Sequence, residues 1–371
     1  MMLPTTDRLL LGPGPSPVSP RVLAALGAPP RSHLDGDLVA LLDDIRARLA
    51  RVFHAPEGAM TLAVSGTGTS GMETVVANLV EPGRRALVIV TGYFGDRLAI
   101  MLGRYGAVVD RLEVAWGSSV DPSDVARRLR ERPANLVAVV HAETSTGVRN
   151  PIEEVARIAR DHDALTLVDA VTSLGALPLD VAAWGIDACY ACSQKGLGAP
   201  SGLAPVMLTP RALARRVACR SFYFDFGLIE DYWVRRKYHH TISTPLIYAL
   251  DVALEEVEAE GLVPRWARHE RVHLTLVDAL AAAGLSLLPA PTDRLWNLNA
   301  VRVPAGVDEA AVRLQLVRAH GIEIGAGLGP LAGKVWRVGL MGFGATADNV
   351  SRLMQALPEA IAGARLPQPS S

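Results

Sequence analysis

Lysine is scarce in this chain of 371 residues: Lys195, Lys237 and Lys334 are the only three, and every other basic side chain is arginine. Arginine cannot be deprotonated in a protein, so chemistry that needs a titratable amine has three candidates. Cysteine is as rare. Cys189, Cys192 and Cys219 are too few for a disulfide framework at this length. Cys189 and Cys192 form a literal C-x-x-C, but within IDACYACS (186–193), an apolar run that reads as a buried strand with the two thiols on opposite faces. That disfavours a zinc half-site or redox pair, and no metal site is expected. The 37 basic and 38 acidic side chains leave a net charge of −1, so no general field attracts nucleic acid or an anionic membrane. No apolar stretch approaches the ~20 residues of a membrane span. The opening MMLPTTDRLLLGPGP lacks a basic leader, and the closing PQPSS is neither a peroxisomal address nor an anchor. A soluble, cytoplasmic protein is the expectation.

What is abundant is apolar: half of the residues. The length accommodates two domains. From about residue 36 to 215, helical and strand patterns alternate. DLVALLDDIRARLARVF (37–53) has helical periodicity, MTLAVSG (60–66) is a strand, and TSGMETVVANLV (69–80) a helix. ALVIVTG (86–92) and VVDRLEVA (108–115) are strands flanking the helix GDRLAIMLGRYG (95–106). DPSDVARRLRER (121–132) is a helix capped by Asp121 or Ser123, and NLVAVVHAE (135–143) is a strand. PIEEVARIARDH (151–162) is a helix with Pro151 in its first turn, followed by the strand ALTLVDAV (164–171). Continuous Val/Leu/Ile strands between helices mean an α/β fold with a mostly parallel sheet covered on both faces. After Gly261 the pattern changes to a long helix over 266–288, a strand over 297–304, a helix near 308–319, the strand KVWRVGLMG (334–342) and a final helix, read as a smaller α+β domain. The division is an N-terminal segment 1–20, a large domain 21–260 and a small domain 261–371.

Ligands of such sheets bind beyond the carboxyl ends of the strands. Four of these ends are polar. Ser65-Gly66-Thr67-Gly68-Thr69-Ser70-Gly71 matches G-x-G-x-x-G, yet no acid ends the following strand, as a dinucleotide site requires. A nucleotide-binding reductase is therefore disfavoured, and would leave a lysine and an aspartate unexplained. The loop keeps its anion-binding physics: free N–H groups at a helix start, with Thr67 and Thr69 as extra donors. Asp169 ends ALTLVDAV, as a cap or a functional carboxylate. Lys195 leaves a buried strand in Ser193-Gln194-Lys195-Gly196, where desolvation disfavours the ammonium and makes the amine a nucleophile. His141–Gly147 is the fourth end.

An anion loop, a strand-end Asp and a strand-end Lys 26 positions later fit pyridoxal 5′-phosphate (PLP). Lys195 would hold the aldehyde as a Schiff base and act as the base that moves the substrate proton. Asp169 would keep the ring nitrogen protonated, so that the ring acts as an electron sink.

The chain also resembles the class-V, fold-type-I PLP-dependent aminotransferases of the alanine–glyoxylate and serine–glyoxylate group. The landmarks are LLGPGPSPVSP, SGTGTSGMET, GYFGDR, HAETSTGV, VDAVTSLG, SQKGLGAPSGLAP, KYHHT and GKVWRVGLMG, in order along nearly the whole chain. The resemblance implies that Gly68 and Thr69 bind the phosphate and that Gln194 contacts it. Phe94 would stack on the pyridine ring, where the human liver member carries Trp. Thr144 would lie near the ring oxygen or the substrate, and Arg337 would clamp the substrate carboxylate. Tyr238 and Thr241 would reach the phosphate of a partner subunit, which implies a homodimer with shared active sites. His239 and His240 read as hydrogen-bonded structural histidines, and His33 as a residue near the substrate channel. The implied reaction moves an amino group from alanine or serine to glyoxylate or pyruvate. The ureidoglycine–glyoxylate members carry Asn at the place of Tyr238, which makes that reaction the alternative. A desulfurase needs a mobile cysteine in the C-terminal half, and none follows Cys219; another PLP-dependent lyase stays open.

Overall fold

Short runs of Val, Leu, Ile and Ala build the centre of the molecule. In the computed structural model, which describes residues 8–366, they form β1 (Met60–Gly66), β2 (Arg85–Val90), β3 (Val108–Glu113), β4 (Leu136–Val140), β5 (Leu165–Asp169), β6 (Ala188–Tyr190) and β7 (Gly202–Leu208). These make one sheet in the order β1-β7-β6-β5-β4-β2-β3. All neighbours run parallel except β7, which is antiparallel to both β1 and β6. β4 and β5 are buried at every position, as strands with helices on both faces must be. Of the segments read for targeting signals, residues 1–7 of the opening and all of the closing 367–371 lie outside the described residues.

The covering helices follow from their patterns. α1 (Gly36–Val52) buries Leu38, Leu42, Ile45, Leu49 and Val52, a stripe at helical spacing, and Asp35 caps it. α2 (Gly68–Leu79) and α3 (Tyr93–Arg104) follow the strand ends of β1 and β2. Of the two cap candidates for α4 (Pro122–Glu131), Asp121 does the capping, through the Ser123 N–H. Pro151 precedes α5 (Ile152–Asp161) as its cap position, one place earlier than expected.

α6 (Thr244–Glu260) and α7 (Leu262–Ala282) meet at Gly261. Beyond them, β8 (Leu298–Arg302), β9 (Gly325–Ala326) and β10 (Val335–Gly339) form an antiparallel sheet in the order β8-β10-β9. α8 (Glu309–His320) and α9 (Ala347–Gly363) pack with it. A second apolar cluster gathers Leu276, Leu316, Trp336 and Leu353, and Leu11 joins it from the chain's start. Leu9–Leu10 pairs there with Ile322–Glu323.

Three expectations need correction. The helix expected over 266–288 starts at Leu262 and stops at Ala282, because the chain turns at Gly284 and Leu287 bridges to Val301. The strand over 135–143 breaks at His141 into β4 and a hairpin in which Ala142–Glu143 pairs with Val148–Arg149. The strand through the C-x-x-C ends at Tyr190, so Cys192 lies past it. The opposite-face argument does not apply, although both thiols are buried and free. Among the described residues, no helix is long and apolar enough to cross a membrane.

Candidate active site

β6 ends at Tyr190, and the chain then turns tightly. Ser193 donates its N–H to Leu203 O at 3.0 Å, and Gly198 donates to Lys195 O at 3.0 Å. The turn buries Lys195 to 9 % exposure. The other two lysines are on the surface, Lys237 paired with Asp231 at 3.0 Å. Lys195 Nζ donates to the Pro13 carbonyl, delivered by the N-terminal segment. That approach requires glycine next door: Gly14 has φ +113°, and a Cβ there would come within 2.7 Å of Lys195 Cε. Ser16 then ties the turn from the same side, its N–H to Gln194 O at 2.9 Å and its hydroxyl to Lys195 O at 2.9 Å. Burial lowers the Lys195 pKa from its ordinary value; the Arg337 cation acts in the same sense and the Asp169 and Glu143 carboxylates oppose it.

Asp169, the last residue of β5, is opposite Tyr190 of β6. Its Oδ1 accepts the Val171 N–H at 2.8 Å and its Oδ2 the Tyr190 hydroxyl at 2.8 Å. Burial pushes its pKa up to about 6 against these two donors. Val171 packs onto the glycine loop, where a Cβ on Gly68 would lie 2.7 Å from Val171 Cγ2 and 3.6 Å from Cys192 Cβ. The loop, the aspartate turn and the lysine turn are therefore in contact.

At the start of α2, the N–H groups of Ser70 and Gly71 return to the Thr67 carbonyl, while the opening N–H groups of a helix, here those of Gly68 and Thr69, have no partner within it. Thr67 makes no side-chain cap, and Thr67 and Thr69 are exposed. Arg97 donates to Thr69 Oγ1 at 3.3 Å and sits 5.0 Å from the centre of the Phe94 ring. Gln194 Oε1 is buried and has no hydrogen-bond partner among the described residues.

Thr144 is buried, its hydroxyl 2.5 Å from that of Thr172. Its carbonyl faces Arg337 Nη1 at 3.5 Å, while Arg337 Nε is anchored on Ala326 O at 2.6 Å. Burial lowers the Arg337 pKa to about 10, which leaves it a cation at neutral pH. Tyr238 and Thr241 are exposed, with hydroxyls 3.5 Å apart. Between them, His239 and His240 belong to a hydrogen-bonded row: Phe222 O to His239 Nε2 at 3.1 Å, His239 Nδ1 to His240 Nδ1 at 2.7 Å, and His240 Nε2 to Ser65 Oγ at 2.7 Å. For neutral rings the carbonyl end sets the direction, each donor pointing from Ser65 towards Phe222. The His33 ring lies 5.2 Å from that of Tyr238.

Several neighbours of the site stand outside the residues that the sequence motifs single out. Glu143 and Tyr190 sit inside quoted motifs without a role. Arg265 and His269 begin the buried stripe of α7. Arg265 donates to Gly175 O at 3.0 Å and to Gly196 O at 2.8 Å, beside Lys195. A buried Arg and His four apart on a helix are the signal that could have found them. A cavity of about 410 Å³ lies at the opposite end of the sheet, but its Arg84, Arg215 and Arg216 are paired with Glu81, Asp163 and Glu230.

Residues 20–353 match the class-V aminotransferase family. The chain superposes on an alanine–glyoxylate aminotransferase from Nostoc sp. with a TM-score of 0.94 and 44% identity, over 97% of each chain. It superposes on the ureidoglycine–glyoxylate aminotransferase of Bacillus subtilis with a TM-score of 0.95 and 35% identity, over 98% of this chain and 95% of the other. It is 38% identical to the alanine–glyoxylate aminotransferase of Oryctolagus cuniculus, over 96% of this chain and 93% of that protein.

Proposed function

The chain belongs to the class-V aminotransferases, and from that premise we propose that it moves an amino group from alanine or serine to glyoxylate or pyruvate, with PLP held at Lys195. The observation that carries this reading is the amine of Lys195, buried on a turn that packs against the anion loop through Cys192 and near enough to the strand-end Asp169 for the two charges to interact.

The residues present fit the cofactor. Gly68 and Thr69 offer free N–H groups at a helix start for a phosphate, and Gln194, beside the lysine, holds a polar atom without a partner among the described residues. Asp169 is fixed by two donors and so remains an acceptor for a protonated ring nitrogen. The Phe94 ring stands on the first turn of α3. PLP, when bound, supplies the electron sink that stabilises negative charge at the substrate Cα.

The chain does the rest. Lys195 Nζ, with its pKa lowered by burial, accepts the Cα proton of the amino donor. Arg337, fixed through Nε, presents its remaining N–H groups to the α-carboxylate shared by donor and acceptor. The turn that carries Thr144 keeps that guanidinium in place.

Tyr238, at 63 % exposure, and Phe222, at 74 %, leave aromatic surface beside the site, which supports a second copy of the chain completing it. Tyr238 favours alanine or serine as donor. The likeness to the Bacillus subtilis enzyme supports ureidoglycine as the second reading. The deciding experiment offers alanine, serine, glycine and ureidoglycine separately to the yellow holoenzyme and follows loss of the pyridoxal absorption. Rapid bleaching by alanine or serine is expected, and bleaching by ureidoglycine alone would select the alternative.

A further inference from the structure

Glu143 has no part in the chemistry above, yet its side chain is fully buried and no cation pairs with it among the described residues. A buried carboxylate is costly unless hydrogen bonds satisfy it. Here four donors do. Oε1 accepts the Phe94 N–H at 3.3 Å, the Ser145 N–H at 3.1 Å and the Ser145 hydroxyl at 2.5 Å, and Oε2 accepts the Gly95 N–H at 3.1 Å. Ser145 Oγ in turn accepts the Tyr93 N–H at 2.9 Å.

Tyr93, Phe94 and Gly95 are the first three residues of α3, and their N–H groups have no partner inside the helix. The cap position before them is Gly92, which has no side chain to offer. A Cβ there would overlap Ser145 Oγ and come within 2.7 Å of Glu143 Cδ. The helix therefore takes its N-terminal cap from a turn some fifty positions further along the chain, and the bare Gly92 leaves the room for it. With both oxygens occupied by donors and no exposure to solvent, Glu143 is placed to hold rather than to transfer protons.

We infer that Glu143 is a positioning residue: with Ser145 it locks the first turn of α3, and with it the Phe94 ring, against the turn that carries Thr144. This rests on the reading that Phe94 faces the cofactor ring. Phe94 and Thr144 come from different strand ends, and Glu143, adjacent to Thr144 in sequence and bonded to the Phe94 N–H, is the direct tie between them. The Thr144 carbonyl extends the tie to Arg337. The clamp keeps the ring-facing aromatic and the carboxylate-binding cation in one fixed relation.

The test is a double-mutant cycle read on cofactor binding. Apo protein carrying Glu143→Gln, Ser145→Ala, Phe94→Leu or each clamp variant combined with Phe94→Leu is titrated with PLP, and the visible circular dichroism of the bound cofactor is recorded. Glu143→Gln turns an amide NH2 towards N–H donors, and Ser145→Ala deletes one donor and one acceptor with little change in volume. Each clamp variant should weaken PLP binding by about tenfold and reduce the dichroism. Added to Phe94→Leu, either should cost less than about twofold more, the non-additivity of groups acting through one another. If Glu143→Gln does not fold, Ser145→Ala carries the same cycle. Full additivity, or unchanged binding and dichroism, would overturn the inference alone. A wild-type chain that binds no PLP would overturn the parent reading and this one with it.

Discussion

The Tyr190 hydroxyl donates to Asp169 Oδ2 at 2.8 Å across adjacent parallel strands, with both side chains shielded from solvent. The bond stabilises the ionised carboxylate, which burial otherwise disfavours. Tyr190→Phe removes this donor and little volume. Asp169 should then hold a proton more tightly and leave less positive charge on a bound ring nitrogen. Steady-state kinetics should show kcat down by about tenfold, the effect of one hydrogen bond to a charged group, with KM nearly unchanged. An unchanged kcat would contradict this role.

Arg265 is the buried link between α7 and the lysine turn. It bonds Gly175 O and Gly196 O and pairs with Glu260 at 2.6 Å. Arg265→Met leaves the two carbonyls without this donor, while Glu260 keeps Arg268. The loss should be about 2–5 kcal/mol of folding stability in denaturant titration, the cost of two buried carbonyls losing their donor. A loss under about 1 kcal/mol would mean that the turn is held by other contacts.

Arg337→Lys keeps the charge but loses the fork, and the Nε anchor on Ala326 with it. KM for amino donor and oxo acid alike should rise about tenfold or more, while PLP affinity stays within about twofold. Equal losses in both would refute the carboxylate role.

The dependence of apo-protein stability on pH follows from groups that are buried neutral. His269 donates from Nδ1 to Arg265 O at 2.8 Å and accepts the Gly342 N–H on Nε2 at 3.1 Å, a pattern open only to the neutral ring. Burial lowers its pKa, and that of His141, to about 3 from 6.5. The unfolded chain binds protons below pH 6.5 and the folded chain does not, so their contribution is full above 6.5 and is lost as pH falls towards 3. Asp169 acts oppositely: raised from 3.8 to about 6, it favours the folded state in acid and costs stability as pH rises between those values. From pH 7 to 5 each histidine should lose about 1–2 kcal/mol and Asp169 return about 1 kcal/mol. Denaturant midpoints should therefore fall over that interval, and a rise would contradict the assignment.

The core α/β order was legible because its strands are continuous apolar runs between helices of clear period, and burial is what such runs encode. Lys195 and Asp169 were legible as polar residues ending those runs. Phe94 and Arg337 drew their expected roles from resemblance, since an arginine within a strand looks like a surface residue until the anchor on Ala326 is seen. Glu143 left no periodic mark, since its partner Phe94 is some fifty positions away; Arg265 lies on the helical period of α7, but the period does not reveal its partner Gly175, ninety positions away. Helix ends misled where a turn outweighed the apolar pattern, as at Gly284.

The central claim is that the amine of Lys195 holds the cofactor. Borohydride reduction of the PLP-loaded protein, followed by proteolysis and mass spectrometry, tests it most directly. A phosphopyridoxyl group on the peptide containing Lys195 is the predicted result. Its absence there, or its appearance on Lys237 or Lys334 alone, would contradict the account.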